Sequence, residues 1–253
     1  TPKFIFFFFI LKDQRTNISV VPEELAVAMA ASTTSDVSKP SDNPAQDVLE
    51  KVFHYNTFRG NQQEVVRSIL QNKDVLTIIP TGGGKTLCYW IPGIINDGVT
   101  VVITPLVALL NDQVRKLKSY GIPVCYVTAS LSPQERDSVF NELTNKEPKY
   151  KFFFFLPEFA LSEQATCCFK AMTENQKLNR FVIDEAHCVH TWGSSFRPSY
   201  GRLNELKQFN IPVVAFTGTA TCQTQERIIE KLELFQPDIH QASCNRSNLS
   251  FSV

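Results

Sequence analysis

Apolar runs of strand length alternate along most of the chain with segments of helical periodicity. The apolar runs cover 74–80, 100–105, 124–129, 151–157, 180–187 and 211–218. One helical segment starts at Leu106 and ends at a glycine stop, Gly121. Another begins at a capping box of Ser132 and Glu135, with Pro133 at the first helical position. Near-continuous apolar strands that alternate with helices predict an α/β fold, with a mostly parallel sheet covered by helices on both faces.

The N-terminal residues break this alternation. Residues 22–46 are rich in Ala, Ser, Thr, Pro and Asp, and such a composition has too few bulky apolar side chains to fold alone. We therefore predict a low-complexity or disordered segment over 1–46 and a globular domain over 47–253. The first residue is Thr1 rather than methionine, which suggests a fragment.

A separate apolar run, Phe4–Leu11, is much shorter than the ~20 residues that a membrane-spanning helix needs. Lys12 and Asp13 follow it directly and no small-x-small cleavage pattern appears, so a signal peptide is disfavoured. A buried strand and an artefact of the gene model stay open as explanations. We expect no membrane partner.

Charge and cysteine content narrow the functional classes. Lys plus Arg number 25 and Asp plus Glu number 25, so the overall charge does not indicate a nucleic acid or an anionic membrane as partner. Any such binding must come from local placement of charge. The seven cysteines are odd in number and contain no CxxC pair. We therefore expect neither a disulfide framework nor structural zinc, and a reducing intracellular compartment is favoured.

The loop after the first predicted strand reads PTGGGKT, residues 80–86. Its three glycines let consecutive backbone amides turn toward an anion at the start of a helix. Lys85 can then reach the β- and γ-phosphates of a nucleotide, and the Thr86 hydroxyl can hold Mg²⁺. The strict P-loop pattern wants glycine where Ile79 stands, so the match is partial and a plain glycine turn is the alternative.

Two further loops follow predicted strands. One strand ends in VIDEAH and delivers Asp184 and Glu185 together, as a hydrolase of magnesium nucleotides requires: one carboxylate orients the metal and one polarises the attacking water. A solvated strand end is the alternative, and His187 fits a purely structural role equally well. The other loop, 217–221, reads TGTAT and either hydrogen-bonds to the acidic loop or caps the helix that follows.

Upstream of the first strand, the segment YNTFRGNQQE carries Tyr55, Arg59 and Gln62. Glutamine offers a paired donor and acceptor for an adenine edge, while tyrosine and arginine can stack on its faces. Such residues also occur on any helix surface, so this pattern is weak by itself.

Together these segments resemble the first RecA-like lobe of superfamily 2 helicases, and specifically the RecQ family. In that superfamily the P-loop lacks its leading glycine, which accounts for Ile79. In chain order, the similar segments are YNTFRGNQQE (the adenine motif), IIPTGGGKTLCYWIP (motif I), VVITPLVALLNDQV (motif Ia), FVIDEAHC (motif II), VAFTGTAT (motif III) and CNRSNLSFSV (the connector to a second lobe). DEAHCVHTWGSSFRPSY is similar to the aromatic-rich loop of RecQ proteins, which contacts single-stranded DNA.

The resemblance implies a RecA-like P-loop NTPase lobe of an ATP-dependent 3′→5′ DNA helicase that translocates on single-stranded DNA and unwinds forked DNA. It also implies a role for each matching residue. ATP would be bound by Tyr55, Arg59, Gln62, Thr81, Gly82, Gly83, Gly84, Lys85 and Thr86. Mg²⁺ would be bound by Thr86 and, through water, by Asp184. The catalytic set would be Lys85, Asp184, Glu185 and His187. DNA binding or its coupling to ATP would involve Thr104, Trp192, Phe196, Arg197 and Thr219.

The sequence also departs from the RecQ pattern. Ser194 and Ser195 replace the family's histidine and aspartate in the aromatic-rich loop, and Leu156 removes a hydroxyl before Pro-Glu. The chain ends where a second RecA-like lobe is expected to begin, so that lobe would be a missing partner and this fragment would turn over ATP very slowly. A nuclear location rests only on the inferred DNA substrate.

Two other functions stay open. The phenylalanine runs, the missing start and the serine pair favour a degenerate ATP- or DNA-binding module without motor activity. An RNA helicase of the DEAD-type group is disfavoured, because TGTAT resembles the RecQ motif more than the SAT of that group.

Overall fold

In a computed structural model the described residues are 43–191, 198–218 and 220–242. Predictions that concern 1–42, Trp192, Phe196, Arg197, Thr219 and the connector after Ala242 lie outside them. The strands are β1 (Val75–Ile78), β2 (Val99–Ile103), β3 (Val124–Val127), β4 (Phe152–Phe155), β5 (Leu178–Ile183), β6 (Val213–Thr217) and β7 (Asp238–Gln241). The helices are α1 (Pro44–Lys51), α2 (Gln62–Leu70), α3 (Lys85–Ile95), α4 (Val107–Ser119), α5 (Pro133–Leu143), α6 (Pro157–Ala160), α7 (Glu163–Glu174), α8 (Cys188–Thr191), a 3-10 helix (Pro198–Phe209) and α9 (Cys222–Lys231).

The strands form one sheet in the order β3-β4-β2-β5-β6-β1-β7, and every neighbouring pair is parallel. All six apolar runs contain a strand, so the predicted parallel sheet is confirmed. Strand β7 was not predicted, since its residues Asp238–Gln241 are mostly polar. This strand lies at an edge, and alternate side chains face solvent: Ile239 is 50% exposed.

Helices cover both faces of the sheet, as predicted. All four phenylalanines of β4 are fully buried, and they alternate between two cores as side chains of a strand must. Phe152 and Phe154 pack in the core that contains residues of α1–α4. Phe153 and Phe155 pack in the core that contains residues of α5–α9 and the 3-10 helix. The phenylalanine run at 152–155 therefore has the composition that a strand buried on both faces requires.

The predicted helix ends at Gly121 and Ser132 are also confirmed. Gly121 has a φ of +69° just after α4, a conformation that glycine adopts without a steric penalty. At α5, the Ser132 hydroxyl accepts from the Glu135 amide at 3.3 Å, and the Glu135 carboxylate accepts from the Ser132 amide at 2.9 Å. At the other end of the fold, α1 begins at Pro44, three residues before the boundary predicted at Asp47. Within the described residues, no helix is long and apolar enough to span a bilayer.

Replacing Ser132 with alanine is expected to lower the free energy of unfolding by about 1 kcal/mol, because the Glu135 amide loses the hydroxyl that caps it. Urea unfolding followed by circular dichroism measures this change. Ser138→Ala is the matched control, since Ser138 is exposed in the middle of α5. Alanine has the higher helix propensity, so this control is expected to be neutral or slightly stabilising. Equal losses in both variants would contradict the capping role.

Candidate active site

Three adjacent strands deliver the three loops that the sequence singled out. The glycine loop follows β1, the acidic loop follows β5, and the TGTAT loop follows β6, which lies between them. Because the strands are parallel, all three loops meet at the carboxyl edge of the sheet, where ligands bind in such folds. Two backbone hydrogen bonds hold the loops together: Ile79 N to Thr217 O at 3.0 Å, and Ala186 N to Phe216 O at 2.7 Å.

The glycine loop adopts a conformation that needs its glycines. Gly82 and Gly84 have φ values of +84° and +83°, in the left-handed region that side chains disfavour. A Cβ atom at Gly83 would lie 2.5 Å from the Cγ2 atom of Ile79. Ile79 is buried, so it fills core space next to Gly83. This packing explains physically how isoleucine replaces the glycine of the strict P-loop pattern.

Lys85 is the first residue of α3, directly after this loop. Its Nζ atom is buried and has no hydrogen-bond partner among the described residues, although it lies 3.5 Å from Glu185 Oε1. A Cβ atom at Gly218 would lie 3.3 Å from both Lys85 Nζ and Thr81 Oγ1, so the TGTAT loop packs against the P-loop. A buried ammonium with unused donors beside a glycine loop and a helix start fits a phosphate group.

Asp184 and Glu185 follow β5, and both Asp184 oxygens are hydrogen-bonded. Oδ1 accepts from the Glu185 amide at 3.0 Å, and Oδ2 accepts from Gln113 Nε2 at 3.0 Å. Burial raises the pKa of Asp184 to about 6, and the negative charge of Glu185 adds to this, while Gln113 and Lys85 oppose it. Carboxylate and hydroxyl oxygens are the ligands that Mg²⁺ prefers, so Asp184 and Thr86 suit that ion.

His187 connects the acidic loop with β6. Its Nδ1 atom lies 3.0 Å from Thr217 Oγ1 and 3.3 Å from Glu185 Oε2. The resemblance to RecQ helicases assigned His187 to the catalytic set and Thr219 to the coupling of DNA binding with ATP, and Thr219 lies outside the described residues. Thr217, two positions earlier, makes the hydrogen bond to His187. Glu185 itself has a φ of +51°, a strained value for a non-glycine residue of the kind that clusters at active sites.

Gln62 is placed differently from the prediction. It is 2% exposed, and its Oε1 accepts from the Arg59 amide at 2.8 Å. Its Nε2 lies within 3.3 Å of the Gly83 and Gly84 carbonyls. The donor and acceptor that the sequence assigned to adenine are thus used inside the protein. Gln62 ties the P-loop to the segment before α2 in this structure.

Tyr55, Arg59 and Gln62 nevertheless lie in one cleft with the P-loop and the acidic pair. The cleft measures about 540 Å³. Its opposite wall is one face of α4. The lining residues of α4 are three or four positions apart, a spacing that places side chains on the same face of a helix. These α4 residues are Leu109, Asp112, Gln113, Lys116 and Ser119.

Thr104 was assigned by the resemblance to DNA binding or to its coupling with ATP, and that assignment stays a prediction. Thr104 is fully buried, and its hydroxyl has no hydrogen-bond partner among the described residues. The first exposed residues after it are apolar: Leu106 is 40% and Val107 is 43% exposed. Leu156 is the N-cap residue of α6, and it makes no side-chain capping hydrogen bond.

Sequence reasoning missed two residues that touch the candidate active site, Tyr89 and Gln113. For Gln113 a signal existed, since it falls on the buried face of α4 with Leu110, Val114 and Leu117. A polar side chain at an apolar position needs a buried partner. The six described cysteines are free thiols, and no group of three or more metal-binding side chains of His, Cys, Asp or Glu occurs within the described ranges.

Comparison with known proteins agrees with this geometry. The DEAD/DEAH box helicase family matches residues 59–228. The chain is 38% identical over 245 residues to the RecQ-like DNA helicase BLM of Xenopus laevis, covering 94% of the chain and 18% of that protein. It is 37% identical over 215 residues to the ATP-dependent DNA helicase RecQ of Synechocystis, covering 82% of the chain and 44% of that protein. The chain thus spans less than half the length of either relative.

Two solved structures share the fold. The DUF1998 helicase MrfA bound to DNA superposes with a TM-score of 0.60 at 21% identity, covering 80% of this chain and 30% of that one. The Hef helicase domain of Pyrococcus furiosus superposes with a TM-score of 0.53 at 17% identity, covering 76% of this chain and 39% of that one. The RecA-like α/β fold is therefore confirmed. The chain belongs to the DEAD/DEAH box helicase family, and the relatives named above are helicases of the RecQ type.

Proposed function

We propose that this chain is the ATP-binding motor lobe of a RecQ-type DNA helicase. The observation that carries the proposal is the buried Lys85 ammonium, which stands between a glycine loop and Glu185 without a hydrogen-bond partner among the described residues. Glu185 supplies one negative charge at 3.5 Å, but the N–H donors of a buried ammonium are costly to leave without hydrogen bonds. The γ-phosphate of ATP is an anion of the right size and charge for this position.

The residues around Lys85 divide the work of hydrolysis. The P-loop amides and Lys85 hold the phosphates, so the charge that develops during phosphoryl transfer is already compensated. Thr86 and Asp184 would hold Mg²⁺, which neutralises phosphate charge when bound. Glu185 orients and deprotonates the attacking water. His187 contacts both Glu185 and Thr217 of β6 and so holds the Glu185 carboxylate in place.

The DNA-related part of the proposal rests on the similar proteins rather than on described contacts. Trp192, Phe196 and Arg197 are proposed to contact single-stranded DNA, and Thr219 to link that contact to the nucleotide. Unwinding with 3′→5′ polarity is proposed for the complete protein, which needs a second RecA-like lobe. Stronger stimulation of its ATP hydrolysis by single-stranded DNA than by RNA would support the proposal.

A nuclear location is proposed on the basis of the DNA substrate alone. Imaging of the tagged complete protein in cells tests this location.

Lys85→Ala is expected to weaken binding of a fluorescent ATP analogue to this chain about 10- to 100-fold. A hydrogen bond to a charged group contributes about 1.5–3 kcal/mol, and each ~1.4 kcal/mol is tenfold in affinity. Fluorescence titration in the presence of Mg²⁺ measures the change. Lys146→Ala is the matched control, because Lys146 is exposed in the segment that leads into β4, at the opposite end of the strands. Equal affinity of the Lys85 variant and wild type would overturn the proposed function.

A further inference from the structure

A chain of buried side chains connects the two residues that we assign to Mg²⁺. The Tyr89 hydroxyl donates to Gln113 Oε1, and Gln113 Nε2 donates to Asp184 Oδ2 at 3.0 Å. The Tyr89 hydroxyl also contacts the side chain of Thr86. The path therefore runs from Thr86 through Tyr89 and Gln113 to Asp184.

This path joins three parts of the sequence. Gln113 lies 24 residues after Tyr89 and 71 residues before Asp184. Tyr89 is on α3, one turn after Lys85, while Gln113 is on α4, and Asp184 follows β5. Tyr89 is fully buried, Gln113 is 8% exposed and Asp184 is 6% exposed. Water therefore competes poorly for these hydrogen bonds, and buried polar contacts of this kind rigidify their surroundings.

Only a neutral side chain with both a donor and an acceptor fits at position 113. The Asp184 carboxylate needs a donor and the Tyr89 hydroxyl needs an acceptor, and a glutamine amide supplies both. An apolar residue there would leave Tyr89 Oη and Asp184 Oδ2 without their present partner. A glutamate would place a second negative charge against Asp184, beside Glu185.

We propose that Gln113 and Tyr89 are positioning residues. They hold the Asp184 carboxylate in place relative to the Thr86 hydroxyl, so that these two groups can act together on one Mg²⁺ ion. The inference rests on the proposed function. Residues that orient metal ligands from behind typically change metal affinity or activity about 10- to 100-fold when they are replaced. Because Gln113 belongs to the α4 face that lines the cleft, α4 takes part in the metal site as well as in the cleft wall.

The test compares nucleotide binding with excess Mg²⁺ and with EDTA, using a fluorescent ATP analogue and the whole chain. Gln113→Met keeps the length of the side chain and removes both hydrogen-bonding groups. We expect it to reduce the gain in affinity that Mg²⁺ provides about 10- to 100-fold, and to change the affinity in EDTA far less. Gln134→Met, at an exposed position of α5, is the control and should leave both affinities unchanged.

Two outcomes would overturn the inference. A parallel loss of affinity with and without Mg²⁺ would indicate a merely structural role, and an unchanged Mg²⁺ effect would exclude any role. If Gln113→Met does not fold, Tyr89→Phe carries the test, since it removes one hydroxyl and keeps the ring. We expect a smaller loss of the Mg²⁺ effect in the same direction, and no loss would overturn the inference. Lys85→Ala in the same assay distinguishes failure of this inference from failure of the proposed function. The proposed function fails only if the Lys85 variant binds the ATP analogue like wild type.

Discussion

Replacement of Asp74 by alanine is expected to lower the free energy of unfolding by about 3–5 kcal/mol, the usual cost of breaking a buried ion pair from one side. Asp74 is 6% exposed, and its carboxylate has three partners. Oδ1 accepts from the Val213 amide at 2.8 Å, while Oδ2 accepts from Lys207 Nζ at 2.6 Å and from the Phe235 amide at 2.7 Å. The variant leaves a partly buried ammonium and two backbone amides without these partners. Urea unfolding of the whole chain measures the loss.

Glu205→Ala is the matched control for this prediction. Glu205 forms an ion pair with Arg202 on the same 3-10 helix that carries Lys207, but the two side chains of this pair are exposed. Exposed ion pairs contribute only about 0–1 kcal/mol, so the control should lose little stability. Asp74→Asn keeps an acceptor and the side-chain shape, and it should fall between the two. A loss of less than about 1 kcal/mol in Asp74→Ala would show that Lys207 and the amides find other partners.

The role of Asp74 could not be inferred from the sequence. Its partners Lys207, Val213 and Phe235 lie 133, 139 and 161 residues further along the chain. In the sequence Asp74 is only the polar residue before an apolar run. Hydrophobic periodicity predicts that β1 exists and is buried, but it does not tell which later segments reach the start of that strand.

The P-loop and the acidic pair, by contrast, could be predicted because their geometry is local. Gly82, Gly83 and Gly84 allow the loop to turn back on itself, and Lys85 begins the helix that follows. A parallel sheet then brings the ends of its strands to one edge, so Asp184 and Glu185 were expected near the glycines. The Lys85–Glu185 distance of 3.5 Å agrees with that expectation.

The sequence motifs and the hydrophobic pattern do not show in which direction a side chain points. Thr104 follows an apolar strand and was assigned to DNA, but its hydroxyl points into the protein. Gln62 was assigned to adenine, but its amide bonds to the P-loop backbone. In both cases the residue lies where predicted along the chain, and tertiary packing decides which groups it contacts. Hydrophobic periodicity also does not predict a short polar edge strand such as β7. Only one side of this strand is paired, and its side chains need not be apolar.

Glu185→Gln is expected to slow ATP hydrolysis by this chain about 10²- to 10⁴-fold, the usual contribution of a general base. Glutamine has the shape of glutamate and keeps an oxygen that can face Lys85, but it does not take a proton from water. Single-turnover hydrolysis with protein in excess over radiolabelled ATP measures the rate per bound nucleotide. Glu226→Gln, at an exposed position of α9, is the control and should hydrolyse ATP like wild type.

Nucleotide binding by the same variant separates catalysis from structure. In the free protein the Glu185 carboxylate lies 3.5 Å from Lys85 Nζ, and the two side chains are 23% and 11% exposed. A phosphate must therefore compete with Glu185 for the ammonium. Removing that negative charge is expected to leave the affinity for the ATP analogue unchanged or to increase it. If Glu185 were only an ion-pair partner of Lys85, the variant would instead lose stability and hydrolyse each bound nucleotide at the wild-type rate, and that result would exclude Glu185 as the general base.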